Sequence, residues 1–149
     1  VFRALLALSL SAIGIFIIDQ NIKTLFIDGY RYYGEYIDLI LVYNTGVAFS
    51  MLSVLGEWLK WIQMVIVVAL LIFIFRLRKV CFMIPVGLLT GAALSNIYDR
   101  FIHEGVVDYV SWHYGFNFAV FNFADVTINI AVAWLLLLNF KPSLCKSKF

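Results

Sequence analysis

The sequence predicts an all-α membrane protein: four transmembrane helices with a small extracytoplasmic β-containing loop domain. Three observations carry that expectation. Of the 149 residues, 64% are hydrophobic and only 13% charged, with a mean hydropathy of +0.96, whereas a soluble domain is roughly half apolar and about a quarter charged. Four apolar stretches each approach the roughly 20 residues needed to cross hydrocarbon. The charges, finally, segregate by sign between the two ends of those stretches. A single polytopic domain, 1–149, follows. The net charge is +2, and no basic patch interleaved with aromatics points to nucleic acid.

The spans are expected at about 4–26, 58–76, 80–99 and 119–140. The first is uncharged up to Asp19 and Lys23, and no small-residue cleavage site follows it, so it reads as a retained span rather than a removed signal peptide. The second carries Lys60 and Gln63 in its first turns, where a long side chain can snorkel. Pro85 sits near the start of the third, where a missing N–H is best tolerated. The fourth holds one charge, Asp125. Cys81 and Cys145 lie beside basic segments and have no metal-ligand spacing partner. Free thiols in a reducing compartment are expected.

Charge orients the bundle. Arg3, then Arg76, Arg78 and Lys79, then Lys141, Lys146 and Lys148 fall on one side. Every acidic residue falls at or beyond the opposite end. By the positive-inside rule both termini are cytoplasmic and the acidic edge faces outward. The extracytoplasmic loop, 27–57, is crowded by Tyr30, Tyr32, Tyr33, Tyr36 and Tyr43, residues typical of headgroup level. Ile37, Leu39, Leu41 and Tyr43 alternate as a short strand would, and Asn44-Thr45-Gly46 breaks the pattern with turn chemistry. Such a loop serves as a lid or substrate cradle, or as a plain cap over the bundle.

The stretch 91–125 concentrates the candidate chemistry. Asn96, Asp99 and Arg100 share a helix face at i, i+3 and i+4. The guanidinium beside Asp99 would hold it ionised and suit it to positioning. Asp19 and Lys23, at i and i+4, form an orienting pair. Asp108 and Asp125 have no Lys or Arg within a helical turn in sequence. If they converge they cannot both ionise cheaply, and they share one proton, the state that suits peptide hydrolysis. If they do not, they are separate polar anchors at helix ends. His103 and His113 lack ligand spacing, so neither metal nor cofactor is expected. Asn129, one turn beyond Asp125, is expected to bond a neighbouring helix. A small proton-coupled transporter or channel, and a structural assembly factor, are the competing classes.

Taken together the motifs resemble the bacterial lipoprotein signal peptidase (signal peptidase II) family. Asp19-Gln20-Asn21-Ile22-Lys23 is similar to its DQxxK box, and Asn44-Thr45-Gly46-Val47-Ala48-Phe49 to its NxGxAF box. Gly91 through Asn96 to Asp99-Arg100 is similar to the box ending NxxDR. Val106-Val107-Asp108-Tyr109 and Phe121-Asn122-Phe123-Ala124-Asp125 are similar to the last two. The resemblance covers nearly the whole chain and implies an intramembrane aspartyl endopeptidase of the bacterial inner membrane. It would remove the signal peptide from prolipoproteins, cleaving before a cysteine that carries diacylglycerol. It implies Asp108 and Asp125 as the catalytic pair and Asn44, Gly46, Asn96, Arg100 and Asn122 about the substrate. Asp19, Lys23 and Asp99 would support them. It further implies lipidated prolipoprotein substrates, contact with membrane lipids, and cyclic peptide inhibitors such as globomycin. Ala92 and Ser95 stand where the family commonly has glycine, and Tyr109 where it commonly has Phe.

Overall fold

The computed structural model describes residues 2–46, 55–77 and 79–145. Val47, Ala48 and Phe49 of the second box, and Arg78, Lys146 and Lys148 of the basic side, lie outside the described residues. The long apolar runs form helices: α1 (Phe2–Ile27), α2 (Trp58–Leu77), α3 (Met83–Ile102, after a 3-10 turn at Val80–Phe82) and α4 (Phe123–Phe140). Among the described residues these four are long and apolar enough to cross a membrane. Their outward faces stay apolar: Leu10, Ile13 and Ile17 on α1, Val65, Ile66 and Phe73 on α2, Ile130, Leu136 and Leu137 on α4 are all exposed. In water such a surface would aggregate, whereas lipid covers it at no cost. The chain is a multi-pass membrane protein with the expected fold class.

Helix α3 is central and packs on α1, α2 and α4. Its contact with α1 requires small residues, as helix pairing in lipid commonly does. A Cβ at Gly87 would lie 2.0 Å from Ser11 Oγ and 2.5 Å from the Leu8 carbonyl oxygen. One at Gly91 would lie 2.2 Å from the Ala12 carbonyl oxygen. At the end of the bundle that holds both termini, Ala4, Ile74, Phe82, Met83, Val86 and Leu138 close an apolar core. Cys81 and Cys145 meet there as a disulfide, with Cα atoms 5.6 Å apart. The expectation of free thiols is thereby corrected. The start of α3 and the segment after α4 converge at one end of the bundle, which residues 64 apart in sequence do not announce.

The opposite end carries a three-stranded antiparallel sheet ordered β1 (Tyr32–Tyr33), β2 (Ile37–Asn44), β3 (Val106–Trp112). The alternation read in 37–43 is β2. Strand β3 forms because Val106, Val107, Tyr109, Val110 and Trp112 are β-branched or aromatic and fit a half-buried pleat. Leu39 pairs with Val110, yet Val42 pairs with Asp108, so β2 carries one extra residue between them. A one-residue shift exchanges strand faces. The bulge is therefore what leaves Asn44 opposite Val106, on the face that also carries Asp108.

Helix α4 begins at Phe123 rather than near 119. Phe121 bridges to Val110 in extended conformation, and Asn122 is an N-cap with φ −128° and ψ 179°.

Replacing Gly91 by Ala should force α1 from α3 or displace the Ala12 backbone. Overpacking of this kind costs about 1–3 kcal/mol. A lowered thermal midpoint of the detergent-solubilised variant, relative to wild type, is the expected readout.

Candidate active site

The polar residues of α1, α3, β3 and α4 converge at the sheet end. Lys23 Nζ, with its side chain 1% exposed, lies 2.6 Å from Asp19 Oδ2, 2.7 Å from Asp99 Oδ2 and 2.8 Å from Asn96 Oδ1. An ammonium has three N–H donors, and all three are used. Asp19 also accepts from Ser95 Oγ at 2.6 Å and from the Ala124 amide at 2.9 Å. Asp99 accepts from Gln20 Nε2 at 2.7 Å and from the Val107 amide at 3.1 Å. The cation that holds Asp99 is thus Lys23 and not the adjacent Arg100. The i, i+1 positions point about 100° apart on a helix, so sequence adjacency does not make a pair.

Two asparagines pass this order on to the carboxylates. Asn96 Nδ2 donates to Asp125 Oδ1 at 3.0 Å. Asn122 Nδ2 donates to Asp108 Oδ1 at 2.7 Å, while Asn122 Oδ1 accepts from the Asp125 amide at 2.8 Å. Asp125 Oδ2 in turn accepts from the Asn122 amide at 3.1 Å, completing a capping box. Asn44 Nδ2 donates to Asp108 Oδ2 at 2.9 Å, and its own Oδ1 accepts from the Gly46 amide at 3.0 Å. Asp108 and Asp125 line one cavity of about 570 Å³ and both bond to Asn122. That volume lies within the 300–1,000 Å³ range typical of ligand sites.

Arg100 lines the same cavity. Its guanidinium donates to the main-chain carbonyls of Gly46 and Asn96. The carboxylates are therefore not free of cations in space, although no basic residue is near either in sequence. Burial pushes Asp108 up from its ordinary 3.8 to about 7, and the Asp125 charge adds to the rise. Hydrogen bonds from Asn44 and Asn122 and the charge of Lys23 oppose it without cancelling it.

The wall of the cavity is apolar along Phe118, Ala119, Val120 and Phe121. Helices α2 and α4 both pack on α3 but barely on each other among the described residues, and the cavity opens between them. His103 and His113 do not meet. His103 lies against the Tyr43 ring, and His113 Nε2 is 3.4 Å from Asp38 Oδ1.

The sequence profile described as Signal peptidase (SPase) II matches residues 11–141. The chain belongs to the signal peptidase II family. It is 63% identical to the lipoprotein signal peptidase of Sulfurimonas denitrificans, covering 97% of this chain and 95% of that one. It is 50% identical to the lipoprotein signal peptidase of Helicobacter pylori, covering 85% and 82% respectively. In structure it resembles a bacterial membrane enzyme solved by the in meso method at 2.3 Å, with a TM-score of 0.79 at 25% identity over 90% of this chain and 87% of that one.

Two of the three residues that depart from the family's boxes, Tyr109 and Ser95, make hydrogen bonds here. Tyr109 stacks on Phe26, with centroids 4.2 Å apart, and its hydroxyl accepts the Phe123 amide at 2.9 Å. With Asp19 on Ala124 and Asn122 on Asp125, the first three amides of α4 are all satisfied, which a helix start otherwise leaves open. Ser95 fills its near-glycine position with two bonds, to Asp19 and from Gln20 Nε2 at 2.9 Å. Gln20 and Gln63 were not singled out as site residues. Gln63 stands among apolar residues of α2, whereas Gln20 lies inside the first box, between Asp19 and Asn21.

The raised value of Asp108 makes stability depend on pH. The fold favours its protonated form, so that contribution is complete below about pH 4 and is lost as pH rises through about 7. At about 1.36 kcal/mol per unit the loss is on the order of 4 kcal/mol. Asp108→Asn should therefore gain thermal stability over wild type across that interval, and the gap should stop widening above it. A gap independent of pH would contradict the assignment.

Proposed function

We propose that the chain is an intramembrane aspartyl endopeptidase that removes signal peptides from lipoprotein precursors, cleaving before the diacylglyceryl-modified cysteine. The observation that carries the reading is that Asp108, on a strand, and Asp125, on a helix, reach one cavity from different elements. Both are tied to Asn122. Two carboxyl groups so placed, one buried and one half-buried, hold a single proton between them.

In that state the ionised member takes a proton from water while the water oxygen bonds to the scissile carbonyl carbon. The protonated member gives its proton to the carbonyl oxygen. The member that took the water proton then gives it to the amide nitrogen while the other takes a hydroxyl proton from the tetrahedral intermediate, so that the C–N bond breaks and the pair again holds one proton. The signal peptide leaves with a new carboxyl end and the lipoprotein with the amine of its lipidated cysteine. Asn44, Asn96 and Asn122 hold the carboxylate planes, Gly46 and Arg100 shape the rim, and Asp19, Lys23 and Asp99 fix the helices beneath. A protein of this kind belongs in the bacterial inner membrane with both termini cytoplasmic and its site near the outer face, where the acyl chains of the substrate end. Membrane lipids surround it, and cyclic peptides such as globomycin are the expected inhibitors.

A proton-coupled transporter needs polar groups through the full depth of the bundle. Here the end opposite the carboxylates is closed by the apolar cluster about Met83 and Val86, which argues for hydrolysis at one face.

Cleavage of a purified lipidated precursor tests the proposal. Asn is nearly isosteric with Asp but cannot shuttle the proton, so Asp108→Asn and Asp125→Asn should each lower turnover by about 10³-fold or more, on the scale of general acid–base catalysis. Wild-type turnover should fall as pH rises through about 7, when the shared proton is lost. Near-normal turnover in either variant would reject the pair.

A further inference from the structure

Below the carboxylates the cavity has two amides that none of the preceding roles uses. Gln63 is on α2 and Asn129 on α4, and both line the same space. Gln63 Oε1 is shielded from the surface and has no hydrogen-bond partner among the described residues. Asn129, expected to bond a neighbouring helix, makes no such bond among them. Gln63 lies five residues into α2 and Asn129 six residues into α4. At about 1.5 Å per residue both are roughly 8–9 Å below the helix ends, about one turn deeper than Asp125.

An unpaired amide carbonyl buried in this way is unfavourable, and more so in a membrane, where no water compensates it. Gln63, facing the exposed amide of Asn129 at one depth of the same cavity, has a use. A peptide bond must be extended to be attacked, whereas a signal peptide crossing hydrocarbon is helical. Where the helix gives way to extended chain, main-chain N–H and C=O groups lose their partners inside the membrane. That transition falls on the deep side of the scissile bond.

We propose that Gln63 and Asn129 bind the main chain of the signal peptide a few residues before the cleavage point, the Gln63 amide turning its Oε1 into the cavity to accept a substrate N–H. The inference rests on the peptidase reading and extends it to a binding subsite made by α2 and α4. It concerns recognition of backbone, so it is independent of the side chains of the signal peptide.

The test is a cycle between enzyme and substrate. Gln63→Met keeps the length of the side chain and removes the acceptor. Synthetic lipidated precursors in which an ester replaces the amide at one of the second to fourth residues before the cleavage point remove the donor. We expect Gln63→Met to lower kcat/KM about tenfold, and Asn129→Leu to give a loss of the same order, as for one hydrogen bond of typical strength. At one ester position the wild type should lose a similar factor and Gln63→Met should lose nothing more. The thermal midpoint of Gln63→Met should equal or exceed that of wild type, because an unsatisfied buried group has gone. Additive losses at every ester position, a change within twofold in Gln63→Met, or a lowered midpoint that accounts for the loss would each overturn the subsite while leaving the peptidase reading intact. A wild type that cleaves no lipidated precursor would overturn both.

Discussion

The buried ammonium of Lys23 is the constraint on which the rest of the structure depends. It is held by two carboxylates and one amide oxygen and is nearly inaccessible. A charge taken out of water is tolerated only when its partners are close and complete, and removing one member of such a group typically costs about 3–5 kcal/mol. What makes this cluster more than a local ion pair is where its members lead. Asp19 reaches the Ala124 amide at the start of α4, and Asp99 reaches the Val107 amide at the start of β3. One cation thereby fixes α1 against α3 and sets the origin of both elements that carry the site carboxylates.

The same cluster decides which way the asparagines face. An ammonium only donates, so Asn96 must turn Oδ1 toward Lys23, and its Nδ2 is left for Asp125. Asn122 is then obliged to bring its own Nδ2 to Asn96 Oδ1, 3.2 Å away, and to Asp108. Its Oδ1 is left for the Asp125 amide. The orientations of Asn96 and Asn122 thus both follow from a group that has no alternative. Such a chain holds geometry without long side chains, and asparagine is short enough to lose little conformational freedom in the process. The carboxylates receive donors from fixed directions, as preorganised sites require.

How far the sequence alone reached depended on the range of the interaction. The spans were legible because a run of apolar residues is a local property, and β2 was legible from its alternation. The Asp19–Lys23 pair was legible as i, i+4. Strand β3 has no counterpart in the sequence reading, although its β-branched and aromatic residues carried the signal. Its partner strand lies far away in sequence, and Asp108 drew the reading toward chemistry. The link from Lys23 to Asp99, the arrival of Arg100 beside the carboxylates and the Cys81–Cys145 disulfide all join distant segments. No periodicity reports them. The site residues were gathered by their motifs, whereas Gln63 and Asn129 belong to no motif and emerge only when α2 and α4 are seen to face one cavity.

A membrane helix cannot by itself bring two carboxylates into one cavity from different sides, because all its side chains radiate from one axis. Here the second side comes from a strand. The bulge in β2 sets the register that places Asn44 and Asp108 on one face, and the N-cap of α4 brings Asp125 up to meet it. Both devices belong to the sheet end, where the backbone need not be helical. Irregular backbone at that depth survives only where protein or a polar cavity satisfies it. The asparagines and the buried ammonium provide that satisfaction. The polar network therefore does more than hold the carboxylates still: through Asp99 and Asn122 it also satisfies the main chain of Val107, where the strand packs on the end of the bundle.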